Sequence, residues 1–502
     1  MRVHRPVFFI SASVILAFVI FGAVMPEQTK TVFSVVQDFI ITRLGWFYTL
    51  SVTFFLGFVL WLLFSRFGEL KLGKDDDEPE YSRYTWFAML FSAGMGIGLL
   101  FYSVAEPILH YGSPPDANPE TLAAAREAMR ITFFHWGLHA WAIYIVIGLA
   151  LAFFAFRYDL PLTIRSTLFP LLGKKIYGPI GNTVEILAVF GTLFGIATSL
   201  GLGIMQINRG LEFLGLMDSS VANQLWLIAG ITLAATISVV TGLDGGIRRL
   251  SEINLGLGLL LVLFIFIAGP TTFLLMSFPQ NLGNYLSSVV SMSFDTDAYQ
   301  GQDWQKSWTM FYWGWWISWS PFVGMFIARV SRGRTIREFI SGVLLVPTLL
   351  TFIWMVVFGN TAIHMELFGN GGILSAVNAN VDTALFVMLE RLPWASVTST
   401  LAVIVIATYF VTSSDSGSLV IDILTSGGEL NPPVGQRIFW ALSEGAVAAV
   451  LLLTGGLVAL QTVAITTALP FCAIMLFICW SLVRGLSSDY DDQHRTLMGG
   501  RK

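Results

Sequence analysis

The feature that most restricts the fold of this chain is a series of twelve long apolar segments with almost no charged residues. A helix needs about 20 mostly apolar residues to cross a bilayer, and these segments approach or exceed that length. The runs are continuous rather than alternating, and lipid cannot pair free backbone groups, so we expect helices and not a β-barrel. The predicted spans are 7–25, 46–65, 86–109, 131–156, 180–207, 223–241, 253–277, 305–328, 339–359, 396–420, 437–454 and 457–483.

The composition agrees with an integral membrane protein. Charged residues make up 12% of the 502 residues, whereas an average soluble domain has about 25%. The net charge of −4 comes without a basic patch, so nucleic acid is not expected as a partner. The two cysteines, Cys472 and Cys479, share one apolar segment and are expected to be buried thiols, without a disulfide framework or a metal site.

The distribution of lysine and arginine between the loops orients the spans. With the N-terminus inside, 21 of the 28 lysines and arginines fall in cytoplasmic segments and 7 in external ones. This bias follows the positive-inside rule, so we expect a multi-pass protein of the plasma (bacterial inner) membrane with both termini in the cytoplasm. A basic cluster after span eight is expected to shape the cytoplasmic mouth; it comprises Arg329, Arg332, Arg334 and Arg337.

The spans divide into a peripheral pair and a core of ten. The charged run Lys71–Arg83 separates them and is expected to be solvated. Asn281–Ser293 and Val381–Leu392 contain amphipathic stretches, which we expect along the external surface or over a pathway there. The predicted units are two peripheral helices in 1–70, a cytoplasmic linker in 71–85, a five-helix repeat in 86–277, an external connector in 278–304, a second five-helix repeat in 305–484 and a cytoplasmic tail in 485–502.

Spans three and eight both carry helix-breaking residues. Span three contains SAGMGIG, whose glycines each cost about 1 kcal/mol in a helix relative to alanine. Span eight contains Gly314 and then Pro321 within SPFVG. Close packing through small residues is one explanation for GMGIG. If the ten core spans are inverted repeats, however, spans three and eight correspond, and broken helices of this kind line binding cavities. The N–H groups expected to face a substrate anion belong to Gly94, Met95, Gly96 and Gly98.

Tryptophans are concentrated in span eight, where six of the 16 fall within residues 304–319. At 100° per residue, Trp313 and Trp316 share one helix face. A nearly opposite face carries Trp308, Trp315 and Trp319. Packing against lipid remains open for one of these faces. Anchoring at the membrane interface is the simpler explanation for Trp46, Trp394 and Trp440.

Aromatic side chains deep in a span also suit the binding of a quaternary cation. Such a cation donates no strong hydrogen bond, and each aromatic face holds it by about 0.5–2 kcal/mol. Span four adds Trp136, Trp141 and Tyr144 within one arc of its helix. A zwitterion could therefore be held at its cationic end by these rings and at its carboxylate by the glycine segment.

Three stretches resemble the betaine/carnitine/choline transporter family, and the likeness extends over nearly the whole chain. They are HWGLHAWAIY (135–144), GMGIGLLFYSVAEP (94–107) and FYWGWWISWSPFVGMFIARVSRGRTIREF (311–339). The family implies an all-α integral membrane fold of 12 transmembrane helices, with a LeuT-like core of two inverted five-helix repeats plus two peripheral N-terminal helices, and usually a homotrimer. It implies a central cage of Trp136, Trp141, Tyr144 and Trp316. It implies a pathway lining or second site, with which we group Trp308, at Trp313, Trp315, Trp319 and Phe322.

The same resemblance implies a site for one Na⁺, the expected coupling ion; no other cofactor is expected. By this resemblance the hydroxyls of Thr412 and Ser413 would join backbone carbonyls near Ser92, Met95 and Tyr409 around the ion. The alternative for the hydroxyls is bonding back onto their own helix, which is common for serine and threonine.

The expected function is Na⁺-coupled import, by alternating access, of a quaternary ammonium or sulfonium zwitterion such as glycine betaine. Gly98 supports a zwitterion, since proton-coupled choline carriers of the family tend to have aspartate at that position. A choline or carnitine transporter, proton-coupled or exchanging, is the alternative. An enzyme is not expected, because the pair His135 and His139 has no third metal ligand at helical spacing, and these rings are interpreted as packing and cage support. A light-driven pump is disfavoured, since no span carries a lysine away from its ends.

Among the acidic residues in or near the predicted spans, three are singled out here, since intramembrane carboxylates are functional candidates by default. They are Glu106, Glu185 and Asp415. For Glu185 and Asp415 we favour structural pairing.

Overall fold

The structure, a computed structural model, describes residues 3–94, 96–241, 244–299 and 303–499. Within these ranges every regular element is a helix, and one isolated antiparallel bridge joins Lys71 to Thr335. Helices are the expected result of long apolar runs, because a helix pairs its own backbone groups without help from water.

The helices are numbered in chain order. The first eleven are α1 (Arg5–Val24), α2 (Pro26–Phe64), α3 (Arg83–Gly94), α4 (Ile97–Gly112), α5 (Leu122–Trp136), α6 (Leu138–Ala152), α7 (Phe169–Leu172), α8 (Pro179–Phe213), α9 (Val221–Thr241), α10 (Asp244–Ala268) and α11 (Thr271–Ser293). The others are α12 (Asp303–Ser307), α13 (Thr309–Arg329), α14 (Ile336–Met355), α15 (Thr361–Phe368), α16 (Ile373–Ala379), α17 (Ala384–Glu390), α18 (Ala395–Thr425), α19 (Val434–Gly455) and α20 (Leu457–Gly499). Short 3-10 turns occupy Arg66–Glu69, Ile164–Leu168, Gly173–Tyr177 and Val381–Thr383, and π-helical turns occupy Phe153–Arg157 and Val356–Asn360.

Nine helical segments of the described chain are long and apolar enough to cross a membrane, and a bent pair makes a tenth. The predicted spans 86–109, 253–277 and 305–328 coincide with the pair α3–α4, with α10 and the start of α11, and with α12–α13. Span seven was predicted to reach residue 277, which is wrong, because the chain bends by 109° between α10 and α11. The protein is therefore an all-helical membrane protein.

The predicted interruption in span three is confirmed. Helix α3 ends at Gly94, and Gly96 is extended, with φ −152° and ψ 179°, before α4 begins at Ile97. Met95 lies outside the described residues. The Leu99 N–H donates to the Gly96 carbonyl at 3.1 Å. Among the described residues, the N–H groups of Ile97 and Gly98 are thus the ones that the helix leaves for another acceptor.

The predicted break in span eight is wrong. Helix α13 continues through Pro321 without interruption. A proline has no N–H group, so the carbonyl four residues earlier loses its helical donor. Here that carbonyl belongs to Ile317. The Ser320 hydroxyl donates to that oxygen at 2.7 Å. The serine side chain therefore replaces the missing backbone hydrogen bond, and the helix is kept.

Replacing Ser320 by alanine is expected to destabilise the protein by about 1 kcal/mol, because the buried carbonyl of Ile317 loses its donor. Thermal unfolding in detergent measures this loss. In a Pro321→Ala background an N–H group returns to the carbonyl, so the same replacement should cost much less there. Equal losses in both backgrounds would contradict this explanation of the unbroken helix.

The charged run Lys71–Arg83 is partly docked, which corrects the prediction that it is solvated. The Leu72 N–H donates to the carbonyl of Arg334 at 2.8 Å, and Leu72 is buried. Asp77 pairs with Arg332 at 3.2 Å. A backbone N–H of the same run and the Arg332 guanidinium hold the pKa of Asp77 below its ordinary value, so the carboxylate keeps its charge at neutral pH. The linker is thus tied to the loop that follows α13.

The two amphipathic loop stretches are mostly helical and cover other helices. Asn281–Ser293 forms the second half of α11, whose buried Tyr285 contacts Phe352 of α14 at 5.2 Å between ring centroids. Val381–Leu392 contains α17, and most of its apolar residues are buried. Both stretches therefore pack against other helices, and their place on the external surface or over a pathway stays a prediction.

Close helix crossings depend on glycines in the core. Gly148 of α6 faces Gly324 of α13, and a Cβ atom added to Gly324 would lie 3.1 Å from the Gly148 nitrogen. Because no side chain separates the backbones there, α6 and α13 approach closely enough for their aromatic residues to meet.

Exposure distinguishes the predicted interfacial tryptophans. Trp46 and Trp394 are 54% and 74% exposed, as expected for anchors. Trp440 is fully buried and its indole N–H donates to the Thr425 hydroxyl, so the prediction for Trp440 was wrong. Cys472 and Cys479 are buried free thiols, as predicted.

Candidate functional site

The predicted cage residues lie where α5 and α6 face α13. The chain breaks at Gly137, between Trp136 at the end of α5 and the start of α6. A Cβ atom at Gly137 would lie 2.5 Å from the Phe133 carbonyl, so glycine is required there. The predicted span 131–156 lies within one candidate crossing, Leu122–Arg157, but its helix is interrupted at Gly137. The glycine within HWGLHAW was the signal for this break.

Trp316 is the centre of the aromatic cluster. Its ring meets Trp136 edge-on, with centroids 4.9 Å apart and planes at 70°, and it meets Tyr144 at 6.3 Å. Trp141 joins the cluster through Tyr144 at 5.5 Å. The Trp316 indole N–H donates to the His135 carbonyl at 2.8 Å, which fixes the ring. The structure thus brings together all four rings of the predicted cage.

Trp315 and Trp319 lie on the other side of α13, against α8. Trp315 donates to the Ser199 hydroxyl, and Trp319 donates to the Gly195 carbonyl at 2.9 Å. Trp315 also stacks on Trp316, with centroids 4.8 Å apart and planes at 12°. All these rings are at most 7% exposed, so neither face of α13 packs against lipid.

The remaining predicted tryptophans are more distant from Trp316. Trp313 shares the face of Trp316, as predicted, but it stacks on His139 at 5.4 Å. Trp308 precedes the first turn of α13, so its predicted place on a helix face is wrong, and its ring lies 4.4 Å from His110. Phe322 is half-buried and touches Trp319 at 5.4 Å.

The glycines after the break in span three lie against these rings. A Cβ atom at Gly96 would contact Trp319 at 3.4 Å, and one at Gly98 would collide with Cη2 of Trp315. The start of α4 therefore faces the indoles of α13 directly. Gly94 ends α3 on the other side of the break.

A buried carboxylate on α4 joins several of these side chains. One oxygen of Glu106 accepts from His135 Nδ1 at 2.6 Å and lies 3.2 Å from His110 Nε2. The other oxygen accepts from the Trp136 indole at 2.6 Å and from the Tyr312 hydroxyl. The potential metal-ligand atoms of Glu106, His110 and His135 thus all lie within 4.8 Å of one another. The sequence spacing did not predict this group. His139 lies apart and bonds to Ser293.

A small cavity of about 100 Å³ separates α13 from α18. Its lining contains Ser92, Tyr409, Thr412 and Ser413, which are four of the five predicted Na⁺ ligands. Asn254 also lines it and was missed, although an amide inside an apolar span is a recognisable signal.

Oxygen atoms at this cavity are available to a hard cation. The Asn254 side-chain oxygen and the Tyr409 hydroxyl are buried without a hydrogen-bond partner among the described residues. The Thr412 hydroxyl donates to the Thr408 carbonyl at 3.1 Å, which is the local bonding considered as the alternative. That bond leaves a lone pair on the oxygen, and the Asn254 amide donates to it at 3.2 Å. The donor set therefore consists of hydroxyls and an amide oxygen.

A larger cavity of about 1050 Å³ opens next to the small one. The two share Phe322, Phe326 and Ser416 in their linings. At its other end the large cavity reaches Arg329 and Arg332, two residues of the predicted cytoplasmic mouth. The tryptophan-rich part of α13 and the basic face of the protein thus lie along two neighbouring cavities with a shared wall.

The other two acids singled out from the sequence, Glu185 and Asp415, lie in different surroundings from Glu106. Glu185 accepts from the Arg165 backbone N–H at 2.7 Å, which supports structural pairing. Asp415 lies along the large cavity and is 7% exposed. The structure places neither beside the aromatic cluster.

Comparison with known proteins agrees with this geometry. The family model of betaine/carnitine/choline transporters matches residues 6–491. A glycine betaine transporter of Acinetobacter baylyi is 49% identical over 487 residues, covering 97% of this chain and 74% of that protein. One of Bacillus subtilis is 47% identical over 486 residues, covering 96% and 94%. A glycine betaine/proline/choline transporter of Vibrio parahaemolyticus is 42% identical over 504 residues, covering 97% and 91%.

Proposed function

Since this chain belongs to the betaine/carnitine/choline family of transporters, we propose that it imports glycine betaine, or a close quaternary ammonium or sulfonium zwitterion, together with Na⁺. Its bacterial relatives and its many apolar helices make it a multi-pass protein of the plasma membrane. The observation that carries the substrate is the convergence of Trp136, Tyr144 and Trp316 within one buried cluster.

The aromatic cluster suits the cationic end of such a substrate. A trimethylammonium group cannot donate a strong hydrogen bond, so it is selected by the negative faces of aromatic rings. Trp136 and Trp316 stand nearly perpendicular, at 70°, and together with Tyr144 they form the aromatic surface proposed to hold this group. Two or three such contacts give several kcal/mol, at about 0.5–2 kcal/mol each.

The carboxylate end is proposed to lie at the start of α4. The first N–H groups of a helix have no intrahelical acceptor, and the helix dipole places partial positive charge there. Gly96 and Gly98 bring this helix end to within contact of the α13 indoles. A carboxylate bound here would belong to the same small zwitterion whose ammonium group lies at the aromatic rings.

Sodium is proposed to bind in the small cavity between α13 and α18. Its described lining offers oxygen atoms from Ser92, Asn254, Thr412 and Ser413, and hard oxygen ligands suit Na⁺. Because Ser92 lies on α3 and two of the hydroxyls lie on α18, a bound ion would link the broken helix to the second half of the core. That linkage would couple ion binding to the substrate site.

We propose transport by alternating access, which these placements support. The large cavity leads from Phe322 to the basic face, which we assign to the cytoplasm by the positive-inside rule. The structure then corresponds to a cytoplasm-facing form, and rocking of one helix bundle would expose the site to the other side. Twelve crossings, two inverted repeats, cytoplasmic termini and a homotrimer are part of the same proposal.

Uptake of labelled glycine betaine into proteoliposomes tests the proposal. An inward Na⁺ gradient is expected to drive accumulation, and replacement of Na⁺ by K⁺ should reduce uptake to background. Ser413→Ala removes one proposed ligand, so it should raise the Na⁺ concentration for half-maximal uptake several-fold.

Three outcomes would separate the alternatives. Uptake that is unchanged in K⁺ would reject Na⁺ coupling. Stronger competition by choline or carnitine than by betaine would assign a different substrate. An unchanged Na⁺ dependence in Ser413→Ala, with Ser426→Ala as a matched serine control outside the cavity, would place the ion elsewhere.

A further inference from the structure

Glu106 is a fully buried carboxylate whose described partners carry no fixed positive charge. It contacts two imidazoles, one indole and one phenol. A buried carboxylate is normally paired with a cation or a metal ion, since desolvation of an isolated charge is costly. Four donors satisfy its hydrogen-bonding capacity here, and none of them is a lysine or an arginine. Such an arrangement is informative because the charge lies beside the aromatic cluster.

The hydrogen bonds of His135 fit a neutral ring. Its Nδ1 lies 2.6 Å from Glu106, and its Nε2 lies 3.0 Å from the Thr309 hydroxyl. A neutral imidazole donates from one nitrogen and accepts at the other, which satisfies both contacts when Thr309 donates. In this form His135 carries no positive charge and so does not cancel the negative charge of the Glu106 carboxylate.

The charge acts directly on Trp136. The indole N–H donates to Glu106 at 2.6 Å, in the range of a charge-assisted hydrogen bond. Hydrogen bonds in a low-dielectric interior polarise their partners, and an indole that donates to an anion becomes more electron-rich. A more negative ring face attracts a cation more strongly. Glu106 binds the indole nitrogen at the ring edge and not the ring face.

The same carboxylate fixes the orientation of two facing rings. Trp136 is held by its own indole bond, and Trp316 donates to the backbone carbonyl of His135, whose side chain Glu106 binds. Tyr312, the third aromatic donor, lies 5.8 Å from Trp316. One side chain on α4 therefore orients parts of α5 and α13 together.

We infer that Glu106 is the positioning and charge-providing residue of the cage. It makes the cage select ligands with a positively charged head group over ligands of the same shape whose head group is neutral. This inference rests on the proposed function. It assigns the preference for positive charge to a residue that does not itself have to touch the ligand.

The test compares two ligands that differ in charge alone. Glycine betaine and 3,3-dimethylbutanoate share a carboxylate and a head group with three methyl groups, but only the head group of betaine carries a positive charge. Binding to the purified wild-type protein and to Glu106→Gln is measured by calorimetry. Glu106→Gln should weaken betaine binding roughly tenfold and 3,3-dimethylbutanoate binding less than twofold. A structural defect alone would weaken both ligands equally, and that result would overturn the inference.

Two further variants keep the inference testable. In a Trp136→Phe background the indole donor is absent, so Glu106→Gln should lower the betaine preference less than it does in the wild type. If Glu106→Gln does not fold, Glu106→Asp retains the charge and should keep the betaine preference while weakening both ligands. A lost preference in Glu106→Asp would contradict the role of charge. A wild-type protein that binds no betaine would instead reject the proposed function.

Discussion

Replacing Trp316 by leucine is expected to weaken glycine betaine binding by roughly 30- to 100-fold, which corresponds to about 2–3 kcal/mol. Trp316 contacts both Trp136 and Tyr144, so its removal takes away one cation-binding face and loosens two others. The His135 carbonyl also loses the indole donor that fixes this part of the cluster. Calorimetry with purified protein measures the affinity, and uptake in proteoliposomes shows whether transport falls with it.

The control for this variant is Trp46→Leu. Trp46 is 54% exposed on α2 and lies outside the aromatic cluster, so its loss should leave the affinity for betaine unchanged. A comparable thermal stability of both variants would show that the effect at Trp316 is local. Unaltered betaine affinity in Trp316→Leu would remove the aromatic cluster from the substrate site.

Hydrophobic patterning was sufficient to predict most of the helices. Lipid forces backbone groups to pair within their own segment, so continuous apolar runs left few alternatives. Helical periodicity also placed Trp313 and Trp316 on one face of the helix and Trp315 and Trp319 on another. The contacts agree, since the first pair meets α5–α6 and the second meets α8. Helix positions and helix faces depend on local backbone geometry, which can be predicted from the order of residues along the chain.

Features that depend on side-chain compensation could not be predicted in the same way. Proline at position 321 indicated a break, but the Ser320 hydroxyl replaces the lost donor and the helix continues. Gly137 ends a helix that periodicity alone would extend. In both cases the outcome depends on which partner reaches one backbone carbonyl or fits beside one Cα atom.

The partners of the buried acids were equally hidden from the sequence. Glu106 meets His135 and Trp136 from 29 and 30 positions away, and Tyr312 from 206. Spacing along one helix cannot reveal contacts between α4, α5 and α13. The intramembrane position of Glu106 marked it as functional, but only the packing of three helices identifies what it binds.

Gly98→Ala is expected to reduce betaine affinity by roughly 5- to 150-fold if the whole cost of overpacking, about 1–3 kcal/mol, falls on the binding-competent form. The added methyl group would collide with Cη2 of Trp315. Trp315 cannot move alone, because its ring stacks on Trp316 at 4.8 Å and its indole N–H is bonded to Ser199. Displacement of Trp315 would therefore tilt Trp316 away from Trp136. Calorimetry and uptake measure the loss.

A second substitution tests this chain of contacts. Trp315→Phe makes room beside Gly98, so the double variant with Gly98→Ala should recover part of the affinity that Gly98→Ala loses. Gly57→Ala is the matched control, since no atom lies within 4 Å of a Cβ at Gly57. Gly98→Asp, the residue type associated with choline carriers, needs more room than alanine and should fail to bind betaine unless Trp315 is also reduced. Normal betaine affinity in Gly98→Ala would mean that Trp315 moves without disturbing Trp316, and the stacked pair would then have no part in shaping the site.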